Sequence, residues 1–205
     1  MGGRQGERRE QILQTLAEML EAPEGEKITT AALAARLSVS EAALYRHFAS
    51  KAQMFEGLIG FVEETLFTRI NLITQQETSG LGQTQAVLQL LLGFAQRNRG
   101  MTRVLAGGAL VHEHERLRVR VNQIHDRLET TLRQALRVAV SGAELPVDLD
   151  INAAAALLLA YVEGRWQQFA RSGFKREPTA QWAGQWQVLA TGLRLTSADS
   201  PTVAG

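Results

Sequence analysis

Apolar residues recur along this chain at intervals of three and four, the spacing of helices with one buried face. Ile12, Leu13, Leu16, Met19 and Leu20 share a stripe that predicts a first helix over Glu7 to Glu21, ended by Ala22 to Lys27 with its Pro23 and Gly25. Two short helices follow, over Thr30 to Leu37 and Glu41 to Phe48. A fourth starts after Ser50 and carries Phe55, Leu58, Ile59, Val62, Leu66, Ile70 and Ile73 before Ser79-Gly80. Val87 to Ala95 is apolar nearly throughout and too long for an ordinary strand, so it predicts a helix buried on most sides. Gly100 to Gly108 reads as a short broken helix. From Leu110 to Val140 the stripe Leu117, Val121, Ile124, Leu128, Leu132 and Leu136 predicts another long helix, although ERLRVRV taken alone alternates like a strand. The loop SGAELPVD, a helix from Leu149 to Arg171, the turn GFKREP and a last helix over Thr179 to Leu195 complete an all-α chain of about nine helices. The tail TSADSPTVAG is expected to be disordered.

Composition narrows the class. With 45% hydrophobic and 21% charged residues, the 205-residue chain can bury a sizeable core. It contains no Cys, which excludes a disulfide scaffold, thiolate metal sites and a cysteine nucleophile. Lys and Arg number 22 against 21 Asp and Glu, so no global field marks a nucleic-acid or membrane partner and any such site must be local. The polar start MGGRQGERRE lacks the apolar core of a secretory signal, and no run approaches the roughly 18 apolar residues of a membrane span. A soluble, cytoplasmic protein is expected. There is no G-x-S-x-G elbow, no Gly-rich phosphate cradle and no H-E-x-x-H, and the carboxylates are scattered along charged faces, so neither enzyme activity nor a cofactor is expected.

The informative stretch is ITTAALAARLSVSEAALYRHFASK, residues 28–51, two short helices joined by a turn of about three residues. Ala31, Leu33, Ala34 and Leu37 can pack on Val39, Ala42 or Ala43, Leu44 and Phe48, and the small alanines allow close approach. Thr29 or Thr30 can cap the first helix and Ser40 the second, and such helix starts offer N–H groups to a phosphate. Spacing alone does not separate a DNA-reading helix-turn-helix from an ordinary helical hairpin. The local balance, Arg36, Arg46 and Lys51 against Glu41, is net +2 and adds slight weight to the former.

VSEAALYRHFASK resembles the signature of TetR-type regulators: a Val-Ser turn, Leu-Tyr-x-His-Phe, and a Lys three residues on. The resemblance implies an N-terminal three-helix DNA-binding domain, here residues 1–53, a helical regulatory and dimerisation domain over 54–196, a disordered tail over 197–205, and a homodimer joined through the last two helices. It further implies phosphate contacts from Thr29 or Thr30, Tyr45, His47 and Lys51, with Ser40 as a cap and Glu41, Ala43 and Arg46 facing the bases. Arg46 suits guanine O6/N7, Glu41 cytosine N4 and Ala43 a thymine methyl. Two positions depart from the family: Ser38 stands where these turns commonly carry Gly, and Ala49 where close members carry Pro.

The blocks ITTAALAARLSVSEAALYRHFASKAQMFEGLI, TRINLI, LLLGFAQRN and FKREPT extend the match beyond the shared domain, to the nucleoid occlusion branch of the family. That likeness implies a DNA-bound, nucleoid-associated dimer that antagonises assembly of the tubulin-like division protein FtsZ. It also implies an FtsZ-binding surface at Phe61, Arg69, Leu90, Gly93, Arg97 and Asn98, with DNA binding communicated to that surface through the fourth helix. At about 100° per residue from Phe55, Phe61 falls near 240°, well off the buried stripe, and Arg69 near 320°, on its edge. Leu90 and Gly93 suit packing as well as contact, and Arg97 and Asn98 suit capping of a helix end.

Other signals are weaker. His112-Glu113-His114-Glu115 lacks the i, i+4 histidines of a helical metal site and reads as a solvated turn. Arg116, Arg118 and Arg120 read as a solvated or dimer-rim face, and Trp182 and Trp186 as packing. A conventional ligand-responsive repressor is the alternative function, disfavoured by the crowded, nonpolar run Leu88 to Phe94. A helical interaction module that never touches DNA is a third.

Overall fold

Short polar side chains set most of the helix starts in this chain by accepting backbone N–H groups that the first turn leaves without partners. Thr29 accepts from Ala32, Ser40 from Ala43, Ser50 from Gln53, Ser79 from Gly82, and Asp150 from Asn152 and Ala153. The computed structural model describes residues 2–22, 28–111 and 113–195. Among these there are nine α-helices and no strand: α1 (Gly2–Met19), α2 (Thr30–Arg36), α3 (Glu41–Tyr45), α4 (Lys51–Gln76), α5 (Gly80–Arg97), α6 (Arg99–Leu105), α7 (Glu115–Ser141), α8 (Ile151–Arg171) and α9 (Trp182–Arg194), with a 3-10 turn at Gly108–Leu110.

The helical stripes are the core. Ile12, Leu16, Leu33, Leu44 and Phe48 are buried together with Phe55, Leu58 and Ile59 of α4, so α1 to α3 fold around the beginning of that helix. Further along, α7 packs on α8, α5 and α4, and the indole N–H of the fully buried Trp166 donates to the Leu91 carbonyl at 3.2 Å. The ERLRVRV segment is helical, as the longer stripe requires.

Boundaries shift where burial does not control them. α1 begins at Gly2, five residues before the apolar stripe predicts. α7 begins at Glu115 rather than Leu110, since the chain turns through Gly107 (φ 80°) and the 3-10 turn before His114 caps the helix by accepting the Arg116 N–H. The expected stop at Pro23 and Gly25 and the expected disorder of residues 196–205 lie outside the described residues. No helix among the described residues is long and apolar enough to cross a membrane.

The start of α5 is held from the far end of α7. Glu144 accepts the Ser79 hydroxyl at 2.5 Å, the Gly80 N–H at 2.7 Å and the Leu81 N–H at 3.2 Å. Burial works to raise the Glu144 pKa, but these hydrogen bonds and the positive charge of Arg194 outweigh it and hold the carboxyl below its ordinary value. A carboxylate depressed in the folded state contributes stability that is present at neutral pH and is lost as pH falls through the folded value. Acid titration of melting temperature should therefore show a shallower fall for Glu144→Gln than for the parent chain below about pH 4.5, with the variant already less stable at pH 7.

Candidate nucleic-acid interface

The turn between α2 and α3 is a hydrogen-bonded helix stop. The N–H of Val39 donates to the Ala34 carbonyl and that of Ser38 to Ala35, each at 3.0 Å, the paired pattern that closes a helix over a left-handed residue. That residue is Ser38, at φ 54°. It occupies the conformation the family commonly gives to Gly, at a cost of about 1 kcal/mol.

This turn aims α3 outward. Leu44 and Phe48 are buried to 1% exposure and anchor the helix, while Glu41, Tyr45 and Arg46 are exposed on the opposite side. Ala43 and His47 are half-buried between the two faces. Thr29 and Ser40 both act as N-caps, at 3.1 Å to Ala32 N and 3.3 Å to Ala43 N. Thr30 serves a different purpose: its hydroxyl donates to Glu41 at 2.6 Å and accepts from the Tyr45 hydroxyl at 3.4 Å. One hydroxyl network thus ties the start of α2 to the exposed side of α3. Beneath it, Arg9 of α1 lies 4.2 Å over the Phe48 ring and donates to the His47 carbonyl. His47 Nδ1 is buried with no hydrogen-bond partner among the described residues.

The Ala49 departure has a local compensation. Its N–H, which proline would lack, donates to the Gln53 side-chain oxygen at 2.8 Å, while Ser50 accepts the Gln53 N–H at 3.2 Å. The ammonium of Lys51, expected at a phosphate, is paired here with Glu113, 62 positions away, and both side chains are largely buried. Glu113 accordingly does not sit in a merely solvated turn. No local pattern around either residue predicts this pairing.

On the far side of α4, Phe61 is 44% exposed, the outward aromatic that its angular position predicts. Leu72, which the sequence analysis passed over, is 49% exposed and lies about three turns further along the same face. The same angular arithmetic finds it. Arg69 and Arg97 are exposed, Leu90 is half-buried and packs on the core, and Gly93 is buried. A Cβ on Gly93 would stand 3.3 Å from the Arg97 guanidinium, so the missing side chain is what lets Arg97 fold back along α5. Asn98 caps that helix, its side-chain amide donating to the Phe94 carbonyl at 2.8 Å. The helices that carry Phe61, Arg69 and Arg97, α4 and α5, pack directly on one another.

Arg118 of α7 is exposed, while Arg116 and Arg120, about half exposed, pair with glutamates of α4. Arg116 pairs with Glu56 at 2.8 Å, and Glu63 receives Arg120 at 2.7 Å and Arg127 at 3.0 Å, while Arg127 also lies 3.7 Å over the Phe67 ring. These contacts clamp the first two-thirds of α4 to α7. Trp182 and Trp186 lie 5.8 Å apart between ring centroids with their planes tilted by 35°, and Tyr161 is 6.4 Å from Trp182.

Residues 12–58 match the family model described as bacterial regulatory proteins of the tetR family, and residues 77–194 match that described as the tetracyclin repressor-like, C-terminal domain. Among solved structures, a TetR transcription regulator from Haloarcula marismortui superposes with a TM-score of 0.78 at 16% identity, over 93% of this chain and 100% of its own. The fatty acid degradation regulator FadR of Bacillus halodurans does so with a TM-score of 0.77 at 14% identity, over 92% and 97%. The sequence relatives are closer. The nucleoid occlusion factor SlmA of Vibrio cholerae is 53% identical over 94% of this chain and 99% of its own length. Those of Shewanella loihica and Idiomarina loihiensis are 56% and 54% identical, each over 89% of this chain and at least 92% of their own lengths. An outward-facing recognition helix, the two matched domains and this degree of identity over nearly the full length place the chain in the SlmA family of nucleoid occlusion factors, within the TetR-type regulators.

Proposed function

We propose that this protein is a nucleoid-associated, cytoplasmic homodimer that binds pseudo-palindromic chromosomal sites and, when bound, inhibits FtsZ assembly, so that no septum forms over the nucleoid. It works by binding and carries out no catalysis. Residues 1–53 form the DNA-binding unit in this reading, and residues 54–196 the regulatory and dimerisation unit. The observation that carries it is α3 itself: five residues long, anchored by Leu44, capped by Ser40, with Glu41, Tyr45 and Arg46 left exposed. A helix this short is held by its neighbours, and its free face is available to a groove.

Thr29, Thr30, Tyr45, His47 and Lys51 position the duplex through its phosphates; Glu41, Ala43 and Arg46 face the base edges. The dimer forms through α8 and α9, where Leu157 is 60% and Val188 73% exposed and where Gly164, Gly184 and Gly192 have open space before them. Two recognition helices related by that two-fold axis set half-sites about one helical turn apart. Phe61, Arg69, Leu90, Gly93, Arg97 and Asn98 form the FtsZ surface. Because α4 runs unbroken from the base of α3 to this surface, rotation of the DNA-binding units moves both together.

The test is sedimentation of FtsZ polymers with the protein, with and without a DNA fragment that it shifts. DNA-dependent loss of polymer is expected; polymer unaffected in both arms overturns the function. In the companion binding titration, affinity falls steeply with salt, and Arg46→Ala both weakens binding and relaxes base preference.

A further inference from the structure

We propose that Glu113 is an internal competitor of DNA for Lys51, so that arrival of a duplex phosphate breaks the Lys51–Glu113 pair and frees the connection between α6 and α7. This inference rests on the DNA-binding reading above and adds a regulatory contact to it.

Lys51 is the first residue of α4 and stands where the motif requires a phosphate contact. Its side chain is only 24% exposed and that of Glu113 only 15%, and the ammonium also lies 5.6 Å from the Phe55 ring centre. Partial burial makes the charges count for more than they would at the open surface. A phosphate brought to the same ammonium therefore meets Glu113 as a like charge, and one lysine does not neutralise both anions. One of them leaves.

The geometry around Glu113 makes that exchange reversible. Its N–H donates to the Leu110 carbonyl at 3.1 Å, and the next residue, His114, caps the 27-residue α7. Once released, the carboxylate remains at the positive end of a long helix dipole, which offsets part of the lost pairing. The Arg116–Glu56 and Arg120–Glu63 pairs lie further along α7 and do not involve Lys51, so the change is confined to the connection ahead of the helix. That connection follows α6, which packs on both α1 and α8. α6 therefore joins one helix of the DNA-binding unit to one assigned to dimerisation. Linkage requires the converse as well: whatever draws Glu113 away from Lys51 tightens DNA binding.

Fluorescence titration of a labelled duplex tests this on the full-length parent, Glu113→Gln, Lys51→Ala and the double variant, at one salt concentration. Glu113→Gln is expected to tighten DNA binding roughly five-fold or more, the lower end of typical coupling between sites. That gain should vanish in the Lys51→Ala background. In the parent protein, hydrogen exchange at the Glu113 amide should rise on DNA addition. Glu113→Gln binding DNA no more tightly than the parent, or an equal gain with Lys51 already removed, overturns the competition, as does unchanged exchange at Glu113. A parent chain that binds no duplex at all overturns the DNA reading itself and the competition with it.

Discussion

Gly100→Ala is expected to cost about 3 kcal/mol or more, which for a chain of this size lowers the melting temperature by roughly 6–12 °C. The reason is a backbone contact. A Cβ at residue 100 would stand 1.9 Å from the Ala17 carbonyl oxygen, 2.9 Å from its carbon and 3.1 Å from the Leu20 Cβ, so α1 and α6 must separate. Flexible side chains can swing away from such a clash, but the carbonyl of Ala17 is part of a helix and cannot move alone. Because Ala17 and Leu20 lie in the segment that matches the tetR-type model and Gly100 in the segment that matches the C-terminal one, the damage falls on the contact between them. Thermal melts followed by circular dichroism, alongside duplex titration, check this. A variant melting with the parent would mean that the two helices are not held in this close approach.

The second large effect is Phe48→Ala. The ring is 1% exposed, lies under the Arg9 guanidinium at 4.2 Å, and has its edge 3.2 Å from where a Cβ on Gly57 would sit. Removing it deletes a buried aromatic and leaves a cavity, a loss of about 3–5 kcal/mol. That loss is concentrated in a unit of three helices and the start of a fourth, too small to absorb it, while α5, α7 and α8 keep their own packing. DNA binding should vanish at growth temperature while the dimer persists. Mobility shift, size-exclusion mass and helical content measured on one preparation separate these outcomes, and retained DNA binding would contradict the assigned role of Phe48 as the anchor of α3.

These expectations draw unequally on sequence and structure. Phe48 was legible as a core residue because its spacing from Leu44 is helical and its type is apolar, and Phe61 was legible as an outward residue by the same angular rule. Gly100 was not, since nothing in its neighbours along the chain announces the approach of Ala17, which lies on a different helix. Likewise either Thr29 or Thr30 reads as the cap from sequence; Thr29 takes that role and the Thr30 hydroxyl is given to Glu41, a choice decided by how α2 and α3 cross. Arg116, Arg118 and Arg120 read as a solvated or dimer-rim face, and Arg116 and Arg120, still about half exposed, are bonded to glutamates of α4, because two helices that pack side by side bring their charged edges together whatever their separation in sequence.

Helical periodicity, turn chemistry and the motif LYRHFASK are local, and the chain by itself was sufficient for the all-α architecture, the order of the helices and the place of the tetR-type segment. The start of α7 moved from Leu110 to Glu115, where the chain turns through Gly107. Which charges are free and which are taken was settled only by the folded arrangement. Lys51 and Glu113 are 62 positions apart and meet because α4 and the connection before α7 converge, and their attraction depends on distance through space, to which the order of residues along the chain is blind.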